Sequence, residues 1–498
     1  MKTGRIEEKR ALSKLYELTA IEISEKIRNQ EISTEEYLYS ILERIGQVEK
    51  KVHAFVTVVD EKALEKAREI DRKVRKGEKL GCLAGVAVAV KDNICTRNIR
   101  TTCSSRMLEN FVPPYDATVI ERLKAADAII LGKTNMDEFA MGTTTETSYF
   151  GTTHNPWDLR KVPGGSSGGS AAAVISEEAT VALGSDTGGS IRCPASYCSN
   201  VGLKPTYGLV SRYGLISYAN SLEQIGPLTR TVSDCALLLS VISGHDDRDS
   251  TSVNLAQKDY LSFLQDDIKK LKIGLPKEFF EEGVEENAKG PVFEAADKFE
   301  EIGASCHEVS LPMMSYALAA YYIIAMSEAS SNLARYDGLR YGYREENDEG
   351  DFDTVFSRNR RIGFGAEVRR RIILGTYALS AGYFEQYYMK ALKIRTLIRR
   401  DFERVFKNVD VIIGPTMPVL PFDIGERIDD PLKLYMCDIL TVPANLTGYP
   451  AISVPCGFRN GLPVGLQIIG KPFEEGTLLR VAYTFERNTD YHKYRPSL

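Results

Sequence analysis

Two short turns rich in glycine and serine contain the residues best suited to chemistry in this sequence. The first covers residues 164–170 and the second covers residues 184–190. Tight glycine turns leave backbone N–H groups free, and each turn presents a serine hydroxyl beside them. A hydroxyl nucleophile next to preorganised N–H donors is what acyl transfer requires, because the donors stabilise the oxyanion that develops in the transition state.

A flexible linker and a phosphate-binding loop are the alternative interpretations of the first turn. Linkers of glycine and serine are usually repetitive, but residues 164–170 occur once and lead directly into the apolar run Ala171–Ile175. A P-loop requires Gly-x-x-x-x-Gly-Lys-Ser/Thr, and this motif does not occur in the sequence. Both alternatives are therefore disfavoured.

Lys91 could supply the base that a serine nucleophile needs. It follows the continuously apolar residues Val86–Val90, which predict a strand covered on both faces. A lysine accepts a proton near neutral pH only when burial lowers its pKa, since desolvation disfavours the ammonium. Because a lysine at a strand end is more often solvated, this assignment depends on the serine turns downstream.

The serine turns and the upstream lysine resemble the signature of the amidase signature family, serine amidases that use a Ser–Ser–Lys triad. The intervals from Lys91 to Ser166 and from Ser166 to Ser190 also fit that family. The resemblance implies that Ser190 is the nucleophile, Lys91 the base and Ser166 the serine that bridges them. It also implies a cis peptide bond between Gly165 and Ser166.

The same resemblance implies the groups around the triad. Backbone N–H groups of the second turn would form the oxyanion hole, and two further residues would support the site without reacting. The oxyanion-hole residues are Thr187, Gly188, Gly189 and Ser190, and the supporting residues are Ser167 and Arg192.

Longer segments resemble one branch of the family, the glutaminase subunits of tRNA-dependent amidotransferases. These segments are 136–141, 155–158, 204–214, 222–230 and 376–380. The branch hydrolyses glutamine to glutamate and ammonia, and the ammonia converts Glu-tRNA(Gln) to Gln-tRNA(Gln). The resemblance thus implies a heterotrimer with B and C subunits, in which tRNA binds mainly through the B subunit. No cofactor is expected in this chain, and ATP and magnesium are expected in the partner subunit.

A glutaminase must hold the α-carboxylate and the α-ammonium of free glutamine. A guanidinium suits the first group and a carboxylate suits the second. By resemblance, Arg371 would bind the carboxylate, with Arg370 as the alternative, and Asp438 would bind the ammonium. Arginine runs on helices are more often solvated faces, so the sequence alone leaves these assignments open.

Two other functions stay open at this point. A stand-alone amidase of the same fold would act on other amides, and a pocket in which neither Arg371 nor Asp438 faces the nucleophile would favour it. A non-catalytic assembly or RNA-binding subunit would keep only the fold. The presence of the three triad residues and the net charge of −5 disfavour that third function.

The composition is typical of a globular enzyme, with 43% hydrophobic and 26% charged residues in a chain of 498. The nine cysteines are scattered without a Cys-x-x-Cys motif, which predicts a reduced compartment and no zinc site. The charged N-terminus lacks an apolar signal core, and no run of about 18 apolar residues could form a membrane span. A cytoplasmic location is therefore expected.

The strands and helices that must position these residues alternate along the sequence, which predicts an α/β protein. By resemblance we expect the amidase signature fold, a central mixed β-sheet covered by helices on both faces. Residues 1–80 are expected to form a helical segment packed on the core, with a capping box at residues 33–36. Residues 81–498 are expected to form a single amidase domain with a mostly helical insertion near 285–405.

The pattern of short apolar runs predicts the strands of that domain. They are residues 86–90, 128–132, 180–183, 409–413, 451–455 and 464–469. Asn460 and Gly461 predict a hairpin turn between the last two. Because the strands after the insertion are few, we expect them to share one sheet with the strands before it.

Overall fold

The structure is a computed structural model that describes residues 14–281, 283–346 and 349–498. The charged segment 1–10, on which the expectation of no signal peptide depends, lies outside these residues. The α-helices are α1 Ala20–Arg28, α2 Thr34–Val52, α3 Asp60–Arg75, α4 Thr118–Ala125, α5 Gly168–Ile175, α6 Arg192–Cys198, α7 Val232–Ile242, α8 Glu286–Glu301, α9 Ala317–Leu333, α10 Phe352–Gly363, α11 Ala366–Leu379, α12 Lys390–Val405, α13 Pro431–Tyr435, α14 Val442–Thr447 and α15 Glu475–Arg487.

The strands of the described residues form one sheet. They are β1 Phe55–Val58, β2 Ala87–Lys91, β3 Ile129–Thr134, β4 Val181–Asp186, β5 Val201–Lys204, β6 Gln224–Thr229, β7 Lys272–Pro276, β8 Ser305–Val309, β9 Val411–Pro415, β10 Ala451–Arg459 and β11 Leu462–Ile469. Their order is β1-β3-β2-β4-β6-β5-β10-β11-β9-β7-β8. The sheet is mixed, since β2 runs parallel to β4 whereas β10 runs antiparallel to β5.

The pairing of β5 with β10 joins the strands before and after the helical insertion, as predicted. The hairpin between β10 and β11 turns at Asn460 and Gly461, whose φ angles of 55° and 77° are those that favour this dipeptide. The insertion contains α8 to α12 and also one strand, β8, which the sequence analysis did not predict.

The N-terminal helices pack on the sheet through one apolar face. Ser33 and Glu36 form the predicted capping box at the start of α2. Tyr37, Leu38 and Ile41 of that helix are fully buried in the same core as the sheet strands. The segment is not entirely helical, because β1 lies between α2 and α3 and pairs with β3. The division into an N-terminal segment and one domain stays a prediction.

The sheet brings the chemically important residues to one edge. β2 and β4 are parallel neighbours, with Val90 paired to Leu183, so their carboxyl ends point the same way. Lys91 ends β2, and the second serine turn begins in the last residues of β4, which ends at Asp186. Helix α5 is fully buried and starts at Gly168, within the first serine turn. The two turns and the lysine thus meet at this edge.

Among the helices that the structure describes, none has the length and apolar character needed to cross a membrane.

Candidate active site

Lys91 is completely buried and points at the first serine turn. Its Nζ donates to Ser166 Oγ and Ser167 Oγ, both at 2.8 Å, and to the carbonyl of Ser185 at 3.2 Å. Burial lowers the pKa of Lys91 to about 7, even though the carboxylates of Asp137 and Asp186 oppose the shift. The amine is therefore able to accept a proton near neutral pH.

The first serine turn is fixed by backbone contacts. The peptide bond between Gly165 and Ser166 is cis, as the resemblance implies. The carbonyl of Ser166 accepts from the N–H of Asp137 at 3.3 Å, and the N–H of Ser167 donates to the carbonyl of Ser190 at 3.1 Å. The last contact ties the two serine turns together. Ser167 therefore contacts the lysine directly and also links both turns, which suits the supporting role expected for it.

The second turn presents Ser190 with free donors around it. Ser190 is 7% exposed, and its Oγ has no hydrogen-bond partner among the described residues. Gly189 has a φ of 134°, a conformation that suits glycine, and its N–H already donates to Asp186 Oδ1 at 2.8 Å. Among the residues that the structure describes, no hydrogen-bond acceptor contacts the backbone N–H groups of Thr187, Gly188 and Ser190. These three N–H groups are therefore the candidate oxyanion donors, whereas the N–H of Gly189 stabilises the turn.

A buried ion pair holds the turn from behind. Arg192 and Asp186 are both fully buried, with Nε and Oδ2 separated by 3.0 Å. Although burial opposes it, the charge of Arg192 holds the pKa of Asp186 well below its usual range. Arg192 also donates to the carbonyl of Thr441 at 3.0 Å and to Asn445 Oδ1 at 2.7 Å. The expected supporting role of Arg192 thus has a structural basis, and Asp186 and Asn445 are partners that the sequence analysis missed.

The structure separates the two candidate arginines clearly. Arg371 is 3% exposed, donates from Nε to Glu367 Oε1 at 2.8 Å and from Nη1 to Tyr218 Oη at 2.7 Å. Arg370 lies on the exposed side of the same helix, where it pairs with Glu367. Arg371 Nη2 has no partner in the part of the chain that is described, so one edge of its guanidinium stays available for a carboxylate.

Asp438 is a buried carboxylate with two side-chain donors. Tyr322 Oη donates to its Oδ2 at 2.6 Å, and Thr143 Oγ1 donates to its Oδ1 at 3.2 Å. Burial raises the pKa of Asp438 to about 7, although these donors and the charge of Arg371 oppose the shift. A cationic ligand would restore the carboxylate form, because an opposite charge favours ionisation.

Tyrosine and threonine side chains connect this charge pair to the nucleophile turn. Tyr322 bonds to Asp438, and its ring lies 5.4 Å from the guanidinium carbon of Arg371. Thr441 Oγ1 donates to the carbonyl of Gly188 at 2.5 Å and contacts the carbonyl of Asp438 at 3.1 Å. A cationic group and an anionic group thus share one wall with the turn that carries Ser190. Sequence patterns did not indicate Tyr322 or Thr441.

Cysteines and metal ligands do not add to this site. All nine cysteines are free, and Cys193, close to Ser190 in sequence, is buried with its thiol pKa raised well above the usual value by desolvation. In the described ranges, no group of three or more His, Cys, Asp and Glu side chains is placed to hold a metal ion.

Comparison with known proteins agrees with this geometry. A family profile described as Amidase matches residues 36–479. A curated relative from Carboxydothermus hydrogenoformans, named as the A subunit of glutamyl-tRNA(Gln) amidotransferase, is 60% identical over 484 residues, which are 97% of this chain and 100% of the relative. The crystal structure of the A subunit of the same amidotransferase from Thermotoga maritima is similar with a TM-score of 0.80 and 46% identity, covering 95% of each chain. A bacterial aryl acylamidase has a TM-score of 0.84 and 28% identity, covering 96% of this chain and 98% of its own.

Proposed function

The chain belongs to the amidase family, and on that premise we propose that it is the glutaminase subunit of a tRNA-dependent amidotransferase. Its reaction is the hydrolysis of glutamine to glutamate and ammonia. The curated relative that is 60% identical over nearly the whole chain carries the name of such a subunit, which supports the proposal.

The observation that carries the substrate assignment is the buried pair Arg371 and Asp438. Both charged groups lie against Tyr322, whose hydroxyl donates to Asp438 and whose ring lies 5.4 Å from the guanidinium carbon of Arg371. An α-amino acid carries a carboxylate and an ammonium on one carbon, so it can satisfy both charges at once. A neutral amide would leave the buried arginine edge without a partner, which is energetically unfavourable.

The triad performs the first half of the reaction by proton relay. Neutral Lys91 takes a proton from Ser166 Oγ while Ser166 takes the proton of Ser190, and Ser190 Oγ attacks the side-chain amide carbon of glutamine. The N–H groups of Thr187, Gly188 and Ser190 stabilise the tetrahedral oxyanion, and removal of one such donor typically costs about 3 kcal/mol of transition-state stabilisation. As the carbon–nitrogen bond breaks, Ser166 donates its proton to the leaving nitrogen, which departs as ammonia. Lys91 returns its proton to Ser166 and is neutral again for the second half.

The second half releases glutamate from the acyl-enzyme. Water attacks the ester carbon that Ser190 carries, and its proton moves through Ser166 to Lys91. The ester bond then breaks, and the proton passes back to Ser190 Oγ. Each serine and the lysine return to their starting protonation states, so the cycle consumes one glutamine and one water per ammonia.

The ammonia is used elsewhere in the assembly. In this proposal the chain is part of a heterotrimer with B and C subunits, where the B subunit binds tRNA and uses ATP and magnesium to convert Glu-tRNA(Gln) to Gln-tRNA(Gln). The complex acts in the cytoplasm, where protein synthesis takes place. Support for this part comes from the names of the similar proteins rather than from contacts in the fold.

A stand-alone amidase is the competing function, because the aryl acylamidase has the same fold. The decisive experiment compares ammonia release from glutamine with hydrolysis of an N-acyl aniline, for the chain alone and co-purified with B and C subunits. We expect glutamine to be preferred by kcat/KM, with a Ser190→Ala protein as the blank. A higher kcat/KM for the acyl aniline in both forms would establish the stand-alone amidase instead.

A further inference from the structure

The outer side of α11 and the segment after it carry an exposed cluster of large apolar side chains. We call this cluster the tyrosine patch; it consists of Ile373, Leu374, Tyr377, Tyr383, Phe384 and Tyr387. Ile373 is 68% exposed and Tyr377 is 48% exposed. The rings of Tyr377, Tyr383 and Tyr387 lie within 4.5 to 5.9 Å of one another, so the patch is one continuous surface. Contiguous exposed apolar surface usually marks an interaction site.

The opposite side of α11 is buried and forms part of the glutamine pocket. Arg371, Gly375 and Ala378 face inward on this helix. A side chain at Gly375 would collide with the carbonyl of Met326 on α9, so the two helices pack closely. The patch therefore lies on a well-supported helix, directly behind the arginine that receives the substrate carboxylate.

The surface beside the patch is strongly basic. Six Lys and Arg side chains in residues 366–400 are exposed, against one exposed Glu, whereas the whole chain has a net charge of −5. Lys390, Lys393 and Arg400 lie on α12, which follows the segment that contains Tyr387, and all three are exposed. None of these three has an ion-pair partner among the residues that the structure describes. Such a face is complementary to an acidic one.

We propose that the tyrosine patch and the basic face of α12 form the docking surface for a protein partner with an apolar centre and an acidic rim. This inference rests on the proposed function, and it identifies the partner as the transferase subunit that consumes the ammonia. Tyrosine, phenylalanine and arginine are the residues that protein interfaces enrich. Exposed aliphatic residues such as Ile373 and Leu374 favour a protein over RNA, since nucleic-acid interfaces are polar and use aromatic stacking.

The docking surface predicts how substitutions affect assembly. A double variant, Ile373→Glu with Tyr377→Glu, places two carboxylates in the centre of the patch. The matched control is Tyr39→Glu, because Tyr39 is a tyrosine of similar exposure, 50%, on the distant helix α2. Lys390→Glu with Lys393→Glu tests the basic face separately, and its effect should decrease at high salt, since exposed charges are screened.

The experiment measures the affinity of each full-length variant for the purified B and C subunits, with circular dichroism and Tm as folding controls. We expect the Kd of the patch variant to rise at least tenfold, and the control to equal wild type. An unchanged Kd for the patch variant, or an equal loss in the control, would overturn the surface proposal while leaving the glutaminase function intact.

Two further outcomes separate the remaining possibilities. If the patch variant binds the subunits normally but binds a tRNA transcript more weakly than wild type, the surface is an RNA site and the proposal is wrong. If the wild-type chain itself does not associate with the B and C subunits, the proposed function fails, and the surface proposal fails with it.

Discussion

Lys91 should make the stability of the wild-type protein depend on pH in a way that a Lys91→Met variant does not. The folded pKa of about 7 lies below the ordinary value of 10.5, so the unfolded chain binds more protons between these values. The contribution of Lys91 to the free energy of unfolding therefore rises with pH between about 7 and 10.5. Since one pKa unit corresponds to about 1.4 kcal/mol, the cost of deprotonating and burying Lys91 on folding is about 4 kcal/mol at pH 7 and about 2 kcal/mol at pH 9.

The assay is chemical denaturation of wild type and Lys91→Met at pH 7, 8 and 9. The difference in unfolding free energy between the two proteins should change by about 2 kcal/mol across this range, with wild type gaining. The lost hydrogen bonds of the lysine shift the difference by a constant, so the change with pH is the informative quantity. A difference that is independent of pH would refute the argument that burial makes Lys91 neutral.

The same pKa predicts the kinetics. With a pKa of about 7, the neutral fraction of Lys91 is about 0.1 at pH 6 and about 0.9 at pH 8, so titration of Lys91 alone should lower kcat/KM about tenfold per pH unit below pH 7. Lys91→Arg should be inactive at every pH, since arginine keeps its proton. Activity of the arginine variant above a few per cent would mean that Lys91 is a structural cation.

Three further predictions concern the nucleophile and the substrate ligands. Ser190→Ala should lower glutaminase kcat by about 10⁴-fold or more without lowering Tm, while added ammonia still supports the partner reaction. Normal glutaminase activity in this variant would refute the assignment of Ser190 as the nucleophile. Arg371→Lys should raise KM for glutamine by about 10- to 100-fold, because a charge-assisted bond contributes about 1.5–3 kcal/mol, whereas Arg370→Lys should not. Asp438→Asn should reduce the pH slope of log kcat/KM below pH 7 from about two to about one, because only Lys91 then titrates in that range. An unchanged slope would exclude Asp438 as a ligand of the substrate ammonium.

Strands with simple apolar patterns were predictable from the sequence, and strands with mixed signals were not. Both faces of the sheet are covered at β2, β4 and β11, so the sequences of these strands are apolar runs. β6 is equally buried but contains Gly226 and Pro227, residues that argue against a central strand. β8 is partly exposed and short, so its residues carry little apolar signal. Tertiary pairing, which local sequence does not encode, decides such strands.

The residues of the candidate site also differ in how far local sequence predicts them. Lys91, Ser166 and Ser190 sit on glycine turns and a strand end, where local sequence carries a signal. Tyr322, which donates to Asp438, and Thr441, which donates to the carbonyl of Gly188, lie far along the chain, and nothing in their local sequence marks them. The use of the Gly189 N–H by Asp186 is likewise a matter of turn geometry, so four candidate oxyanion donors in sequence become three in the structure.

Burial of both Lys91 and Asp438 gives the site a charge state that depends on its substrate. Desolvation favours the neutral form of each group, which suits the lysine as a base but weakens the aspartate as a ligand. In the proposed glutaminase, the ammonium of glutamine would reverse this for Asp438, since an adjacent cation favours the carboxylate. An amide without an ammonium brings no cation to Asp438 and gains no ion pair. Under the proposed function, discrimination between glutamine and simple amides would therefore follow from the same burial that lowers the pKa of the lysine.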